Sequence, residues 1–284
     1  MNLFLQRNKD YVDIKMSCNR ILGRLFYGSV IQNFILHLIE NKLGKMKFKI
    51  GTLILAIVLL AVFINAKTYS DDRFLPYVVD LKKQDLKLFY KNEKGENFGS
   101  IQNLKNWIEN RHLKLEFAMN GGMYKKDNSP QGLYIEKQKV LFPLDTAEAQ
   151  GNFYLKPNGV FYLTTGNSAK IVTTEKFLNS RKITYATQSG PMLVIDNHIH
   201  SAFKEGSPNL NIRNGVGILP DGKVLFVMSK KEVNFYDFAK YFKDAGCRNA
   251  LYLDGFVSRA YVPSEKWIQT DGNFGVLFAV TTKN

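Results

Sequence analysis

At 284 residues the chain can hold one large domain or two small ones. Its formal charge of +14 favours anionic partners, but no basic run interleaved with stacking aromatics occurs, so nucleic acid is not expected as a partner. The two cysteines, Cys18 and Cys247, fall on opposite sides of an apolar segment. The part beyond that segment therefore cannot close a disulfide of its own, and its stability must come from a packed core.

In chain order, residues 46–66 read as an export segment. Lys45, Lys47 and Lys49 precede the uncharged run IGTLILAIVLLAVFI at 50–64, and Asn65 and Ala66 follow; a basic start, an apolar core and a small exit residue describe a signal peptide. With Ala66 the apolar stretch reaches about 17 residues, the lower bound for a spanning helix, so an uncleaved anchor fits as well. Met46 offers an ordinary signal-peptide start, which would make residues 1–45 an over-extended beginning; read as a cytoplasmic tail, they lay LFYGSVIQNFILHLIE on the membrane as an amphipathic helix. In both cases the basic flank stays inside and everything after Ala66 is sent to the periplasm or beyond, and that exported part touches the membrane only through residues 50–66, if they are left uncleaved. The first 66 residues hold nine Lys/Arg and three Asp/Glu, which leaves +8 on the remainder, a balance that suits a phosphorylated or acidic glycan.

From residue 71 to 284 no linker or low-complexity run interrupts the chain, which predicts one domain. Alternating or β-rich runs predict strands at 86–90, 113–119, 132–136, 152–155, 159–163, 192–195, 215–219, 224–228, 250–253 and 274–280. Asn158-Gly159, Asp196-Asn197 and Asp221-Gly222 supply hairpin-turn chemistry between them. A helix is expected from Ser100, with Ile101, Leu104, Trp107 and Ile108 on one face. A second is capped by Asn234, presents Phe235, Phe238, Ala239 and Phe242, and stops at Gly246. A short third begins at Thr174 and carries Phe177. Many strands with two or three packing helices predict an α+β fold with a mostly antiparallel or mixed sheet. Cys247 reads as a buried small apolar residue.

Four segments place polar or glycine residues directly after apolar strands, where sites are commonly built. In FAMNGGMY, Gly121 and Gly122 let a ligand approach backbone amides and Asn120 both donates and accepts. ATQSGPMLV brings Gln188, Ser189 and Gly190 ahead of a strand. In NIRNGVGI, Arg213 beside Asn214 suits bidentate contact to a phosphate. In ALYLDGFVSRAYVPS a buried strand ends at Asp254, with Gly255, Ser258 and Arg259 in the same loop; a carboxylate so placed is costly unless hydrogen-bonded or at work, which makes Asp254 the leading catalytic candidate. Taken singly, each segment also reads as an ordinary turn, bulge or surface pair. His198 and His200 share a strand face as His-x-His but have no third ligand nearby in sequence, and no HExxH, paired CxxC or EF-hand loop occurs. No cofactor is expected, and a divalent metal stays open.

Together and in this order these segments resemble the bacterial branch of the phosphodiester glycosidase family. The resemblance runs from about residue 117 to 280 and rests on NGGMY at 120–124, PQGLYIE at 130–136, GNFYLKPNGVF at 151–161, QSGPMLV at 188–194, IRNGVGILPDG at 212–222, VNFYDFAKYF at 233–242 and NALYLDGFVSRAYVP at 249–263. It implies hydrolysis of a sugar-1-phosphodiester to the sugar and a phosphomonoester. Asp254 would then activate water or stabilise the oxocarbenium-like centre and Arg213 would hold the phosphate, with Asn120, the Gly121 and Gly122 amides, Gln188 and Ser258 orienting the substrate. A second carboxylate, if used, would be Asp145, Glu148, Glu205 or Asp271. One departure stands out: relatives follow the aspartate with a glycine and serine run, whereas here Phe256-Val257 follows Gly255, a bulkier pair expected to narrow the opening. The alternative reading is a non-catalytic envelope domain that binds a phosphorylated or acidic glycan through the same pocket.

Overall fold

The computed structural model describes residues 71–255 and 257–283. The tail and export segment read at 1–66, with Cys18 and His37, lie outside the described residues, as does Phe256. The elements in order are β1 (Phe74–Val79), β2 (Asp85–Phe89), α1 (Ile101–Glu109), β3 (Leu113–Asn120), β4 (Tyr134–Glu136), β5 (Lys139–Phe142), β6 (Gly159–Thr164), β7 (Ala169–Thr173), β8 (Ile183–Ser189), β9 (Met192–Ile195) and β10 (His198–Ile199). They continue with β11 (Asn214–Ile218), β12 (Val224–Ser229), α2 (Phe235–Asp244), β13 (Ala250–Tyr252), β14 (Ala260–Val262), β15 (Trp267–Ile268) and β16 (Leu277–Lys283).

Three sheets result, ordered β1-β12-β11-β13-β9-β10, β15-β14-β3-β16-β2 and β5-β4-β8-β6-β7. Their strand pairs run antiparallel, and the fold is α+β as expected. All three turn an apolar face to one shared core: Leu88, Phe117, Tyr134, Phe161, Phe226 and Phe278 meet there, and the Phe226 ring lies 5.0 Å from Phe117 and 4.9 Å from Phe278. Edge strand β2 shows the period-2 logic plainly, with Leu86 and Leu88 buried between more exposed neighbours. Central β12, VLFVMS, is buried along its whole length because α2 covers its second face.

Both main helices start and stop as their sequences dictate. The Asn234 side chain accepts from the Asp237 amide at 2.8 Å, and Gly246 takes φ +85° at the end of α2, whose Phe238, Ala239 and Phe242 seal the first sheet. Ser100 caps α1 through the Asn103 amide, and Ile101, Leu104 and Ile108 are buried on the second sheet. Cys247 is 1% exposed and burial pushes its thiol up to about 12, so it packs as an apolar residue.

Three local expectations need correction. Residues 152–155 form a 3₁₀ turn, Asn152–Tyr154, rather than a strand, because Asn158 ties back to the Phe153 carbonyl and the Tyr154 hydroxyl reaches Asp145. The segment before Ser189 is a full central strand, β8, whose polar Thr187, Gln188 and Ser189 hide it from a hydrophobicity pattern. His198 and His200 do not share a face: His198 is exposed and bonds its own turn, whereas His200 is buried, stacked on Phe203 and bonded to the Lys156 carbonyl.

Candidate active site

The four polar segments converge where β3, β8, β11 and β13 end or begin. Asn214, first residue of β11, accepts the Asp254 amide through Oδ1 at 2.9 Å and donates from Nδ2 to both the carbonyl and Oδ1 of Asn120, at 2.9 and 3.0 Å. Asn120, last residue of β3, donates to the Asp254 carbonyl at 3.0 Å and accepts the Arg259 amide at 2.9 Å. The Ser258 hydroxyl bonds the carbonyls of Asp254 and Gly255, and the Ser189 hydroxyl donates to Leu253 at 2.7 Å. The backbone of Asp254 is thus held at both its amide and its carbonyl by side chains from distant strands.

Its carboxylate is left out of this network. Among the described residues it has no hydrogen-bond partner, and burial alone pushes it up to about 6. Two phenols stand within reach of its charge. Burial raises Tyr124, and the negative charge of Asp254 raises it further; its hydroxyl donates to the Asn273 carbonyl. Burial pushes Tyr252 up to about 12, against the opposing pull of Arg213, with Asp254 adding to the rise. A carboxyl raised without a partner, set beside aromatic rings, is poised for proton transfer near neutral pH.

Arg213 occupies a different place from the one expected. The residue is 1% exposed, and its guanidinium carbon lies 3.6 Å from the Phe235 ring centre. It donates to the Val233 carbonyl, to the carbonyl and Oδ1 of Asn209, and to the Tyr252 hydroxyl. Four of its five N–H groups are therefore engaged inside the protein, which leaves no bidentate face for a phosphate. It reaches Asp254 only through Tyr252, whose oxygen also lies against the Gly255 backbone. A Cβ at Gly255 would collide with that hydroxyl and come within 2.9 Å of the Ile212 carbonyl, so only glycine lets the loop pass here.

The substrate-orienting roles expected of several other residues are corrected for the same reason. Both donors and both acceptor positions of Gln188 are filled, by Asp145, Thr174 and Leu133. Ser189 is fully buried on Leu253, and a Cβ at Gly190 would sit 2.6 Å from the Phe153 carbonyl. Asn120 and Asn214 are clamps on the Asp254 loop, and the Gly121 amide is taken by the Val276 carbonyl at 2.7 Å. Gly122 is buried, and a Cβ there would sit 2.6 Å from the Gln188 carbonyl and the Thr187 hydroxyl. Arg259 is partly exposed, pairs with Asp271 at 2.9 Å and bonds the Ser258 carbonyl, which puts Asp271 beside the Asp254 loop. Asp145 accepts from Tyr154 and Ala147, and Glu148 pairs with Lys156. Val257 is half-buried and packs against the apolar cluster that holds Ile101, Tyr261 and Leu277.

Tyr124 and Tyr252 escaped the reading of the sequence. Tyr252 carried a signal: two residues before Asp254 along an extended segment, it projects to the same side. Tyr124 closes the NGGMY motif, but no role followed from that, because its approach to Asp254 depends on the loop at 270–275 that receives its hydroxyl.

The profile of the phosphodiester glycosidases matches residues 114–279, which spans β3 to β16 and every segment that meets at Asp254. The chain belongs to the phosphodiester glycosidase family. It is 35% identical over 228 residues to the uncharacterized protein YigE of Escherichia coli (strain K12), covering 77% of this chain and 88% of that one. Among solved structures, a Burkholderia pseudomallei protein described as exported superposes with a TM-score of 0.52 at 11% identity over 73% of each chain, a likeness of fold alone. The catalytic domain of zebrafish N-acetylglucosamine-1-phosphodiester alpha-N-acetylglucosaminidase, auto-inhibited by its pro-peptide, gives a TM-score of 0.47 at 12% identity, covering 73% of this chain and 88% of that chain.

Proposed function

We propose that this family member hydrolyses the glycosidic C–O bond of a sugar-1-phosphodiester, with Asp254 as the working carboxylate. The observation that carries the reading is a lone carboxyl, raised to about 6 by burial, at the convergence of the family's motifs. A phosphate oxygen leaves readily, so this chemistry needs no strong general acid beside the base. Water adds to the anomeric carbon, its proton passes to ionised Asp254, and the breaking C–O bond leaves its electrons on the phosphate oxygen. The exposed Lys125 and Lys126 and the partly exposed Arg259 replace Arg213 as the groups that meet the phosphate, since they lie on the loops that carry Tyr124 and Asp254. Non-catalytic glycan binding is the weaker alternative, because Val257, half of the departure that favoured it, packs against the apolar cluster under α1.

The full chain, given a chromogenic sugar-1-phosphodiester in ¹⁸O-labelled water, is expected to place the label in the released sugar. Label in the phosphate, or binding without release, would remove the proposal. Because the ionised form of Asp254 does the work, kcat/KM should be level above pH of about 6 and fall about tenfold per unit below it. An acid limb near 4 would mean that a solvated carboxylate is responsible.

The same reading has the substrate outside the cytoplasm, and export is proposed from the pattern at residues 46–66. An alkaline phosphatase fused after residue 284 should be active in the bacterial envelope; activity only in lysed cells would refute export.

A further inference from the structure

Away from Asp254, three clefts of 360, 280 and 420 Å³ follow one another along β2 and the β4–β5 hairpin. They share walls: Tyr185 belongs to the first and second, and Lys91, Asn92, Glu136 and Lys137 to the second and third. The three are therefore adjoining clefts with common walls, together called the groove.

Its lining is chemically graded. The first cleft is bordered by the hydroxyls of Thr164, Thr165, Ser168 and Thr184. The other two carry Lys87, Lys91, Arg111, Lys137 and Lys139 against Glu93 and Glu136, with Arg111 paired to Glu93 and Lys87 to Asp85 of the first cleft. Lys91 and Lys139 form no ion pair among the described residues, and Lys137 stands 3.9 Å from Glu136. An excess of cations in a concave wall attracts a chain of negative charges. The aromatic rings along the groove are already covered: the Arg111 guanidinium lies 3.8 Å from the Trp107 ring centre, Lys91 lies over Tyr90, and Phe89 packs edgewise on Trp107 and Phe98. Single-stranded nucleic acid needs open ring faces on which to stack its bases, whereas sugar hydroxyls and phosphates need hydroxyl partners and cations. At its third cleft the groove reaches Tyr90, which senses the charge of Asp127, and Asp127 sits in the loop that carries Tyr124 to Asp254.

We infer that this groove binds an extended phosphate-bearing glycan, so that the protein takes polymeric rather than single-sugar phosphodiesters. The inference rests on the phosphodiester reading for the kind of ligand, but its test is separate. The variant K91E/K137E/K139E alters only exposed side chains, none of which belongs to the Asp254 site. The full chain and this variant are compared for binding of a fluorescent polymer of hexose units joined by 1-phosphodiesters, with dextran and single-stranded DNA as comparators, and for hydrolysis of the single-sugar chromogenic substrate. The expected result is polymer binding by the full chain that weakens steeply with salt, is absent for dextran and weaker for DNA, and drops by about tenfold or more in the variant. Single-sugar hydrolysis should be unchanged. Equal polymer binding by the two proteins, or DNA bound as tightly as the glycan, overturns the groove. If polymer binding drops in the variant while neither protein hydrolyses anything, the groove stands and the catalytic reading falls; if both proteins hydrolyse polymer with equal KM, the reverse holds.

Discussion

Asp254→Asn is expected to lower kcat by a factor on the order of 10³ or more while leaving a folded protein that is more stable than the parent at neutral pH. The two effects share one cause. A carboxyl raised from 3.8 to about 6 by burial holds its proton more tightly in the folded state than in the unfolded chain. Stability is therefore undiminished below pH 4, declines as pH rises from about 4 to 6, and stays reduced above that by roughly 1 to 3 kcal/mol. The amide of asparagine has nearly the same shape and no charge, so it removes that penalty together with the chemistry. Denaturant unfolding of both proteins between pH 4 and 8 should show the advantage of the variant growing through that window and then holding level. A variant less stable than the parent at pH 8 would mean that favourable partners hold the carboxylate, contrary to the site described above.

Asn214→Ala should have the second largest effect, although this side chain meets no solvent. Its amide is the joint between β3 and the Asp254 loop, and its loss leaves the Asp254 amide without its partner and the Asn120 Oδ1 with the Arg259 amide alone. An unsatisfied buried polar group costs about 1 to 3 kcal/mol, and a loss of that size is expected in unfolding experiments. Freed from its clamp, Asp254 moves off its line of attack, and a displacement of about 1 Å is enough for a hundredfold loss of kcat/KM. A purely structural role would leave the pH profile of the surviving activity in place. Positioning predicts that the acid limb slides from about 6 toward the ordinary carboxylate value as water reaches Asp254, and an unmoved limb would count against it.

Much of the fold was legible because local rules and burial agreed. Ser100 and Asn234 cap helices, Gly246 ends one, and Leu86 with Leu88 alternates inward, each for a reason contained within a few residues of chain. Strand β8 was hidden by the opposite situation: its Thr187, Gln188 and Ser189 are polar yet buried, because partners 14 to 64 residues away in sequence satisfy Gln188 and Ser189. Site residues divided along the same line. Asp254 could be singled out as a carboxylate at the end of an apolar strand, whereas Arg213, equally conspicuous, is taken up by Val233, Asn209 and Tyr252.

By itself the amino-acid sequence determined the α+β class, the caps and turns, the family and the place where its motifs would gather, because backbone geometry and hydrophobic periodicity act over short range. Which polar side chains build the frame and which one faces the substrate was decided only by the tertiary structure. A hydrogen-bond donor is free or occupied according to what folding brings within about 3 Å of it, and for Asn120, Asn214 and Arg213 the decisive partners come from strands and loops distant along the chain.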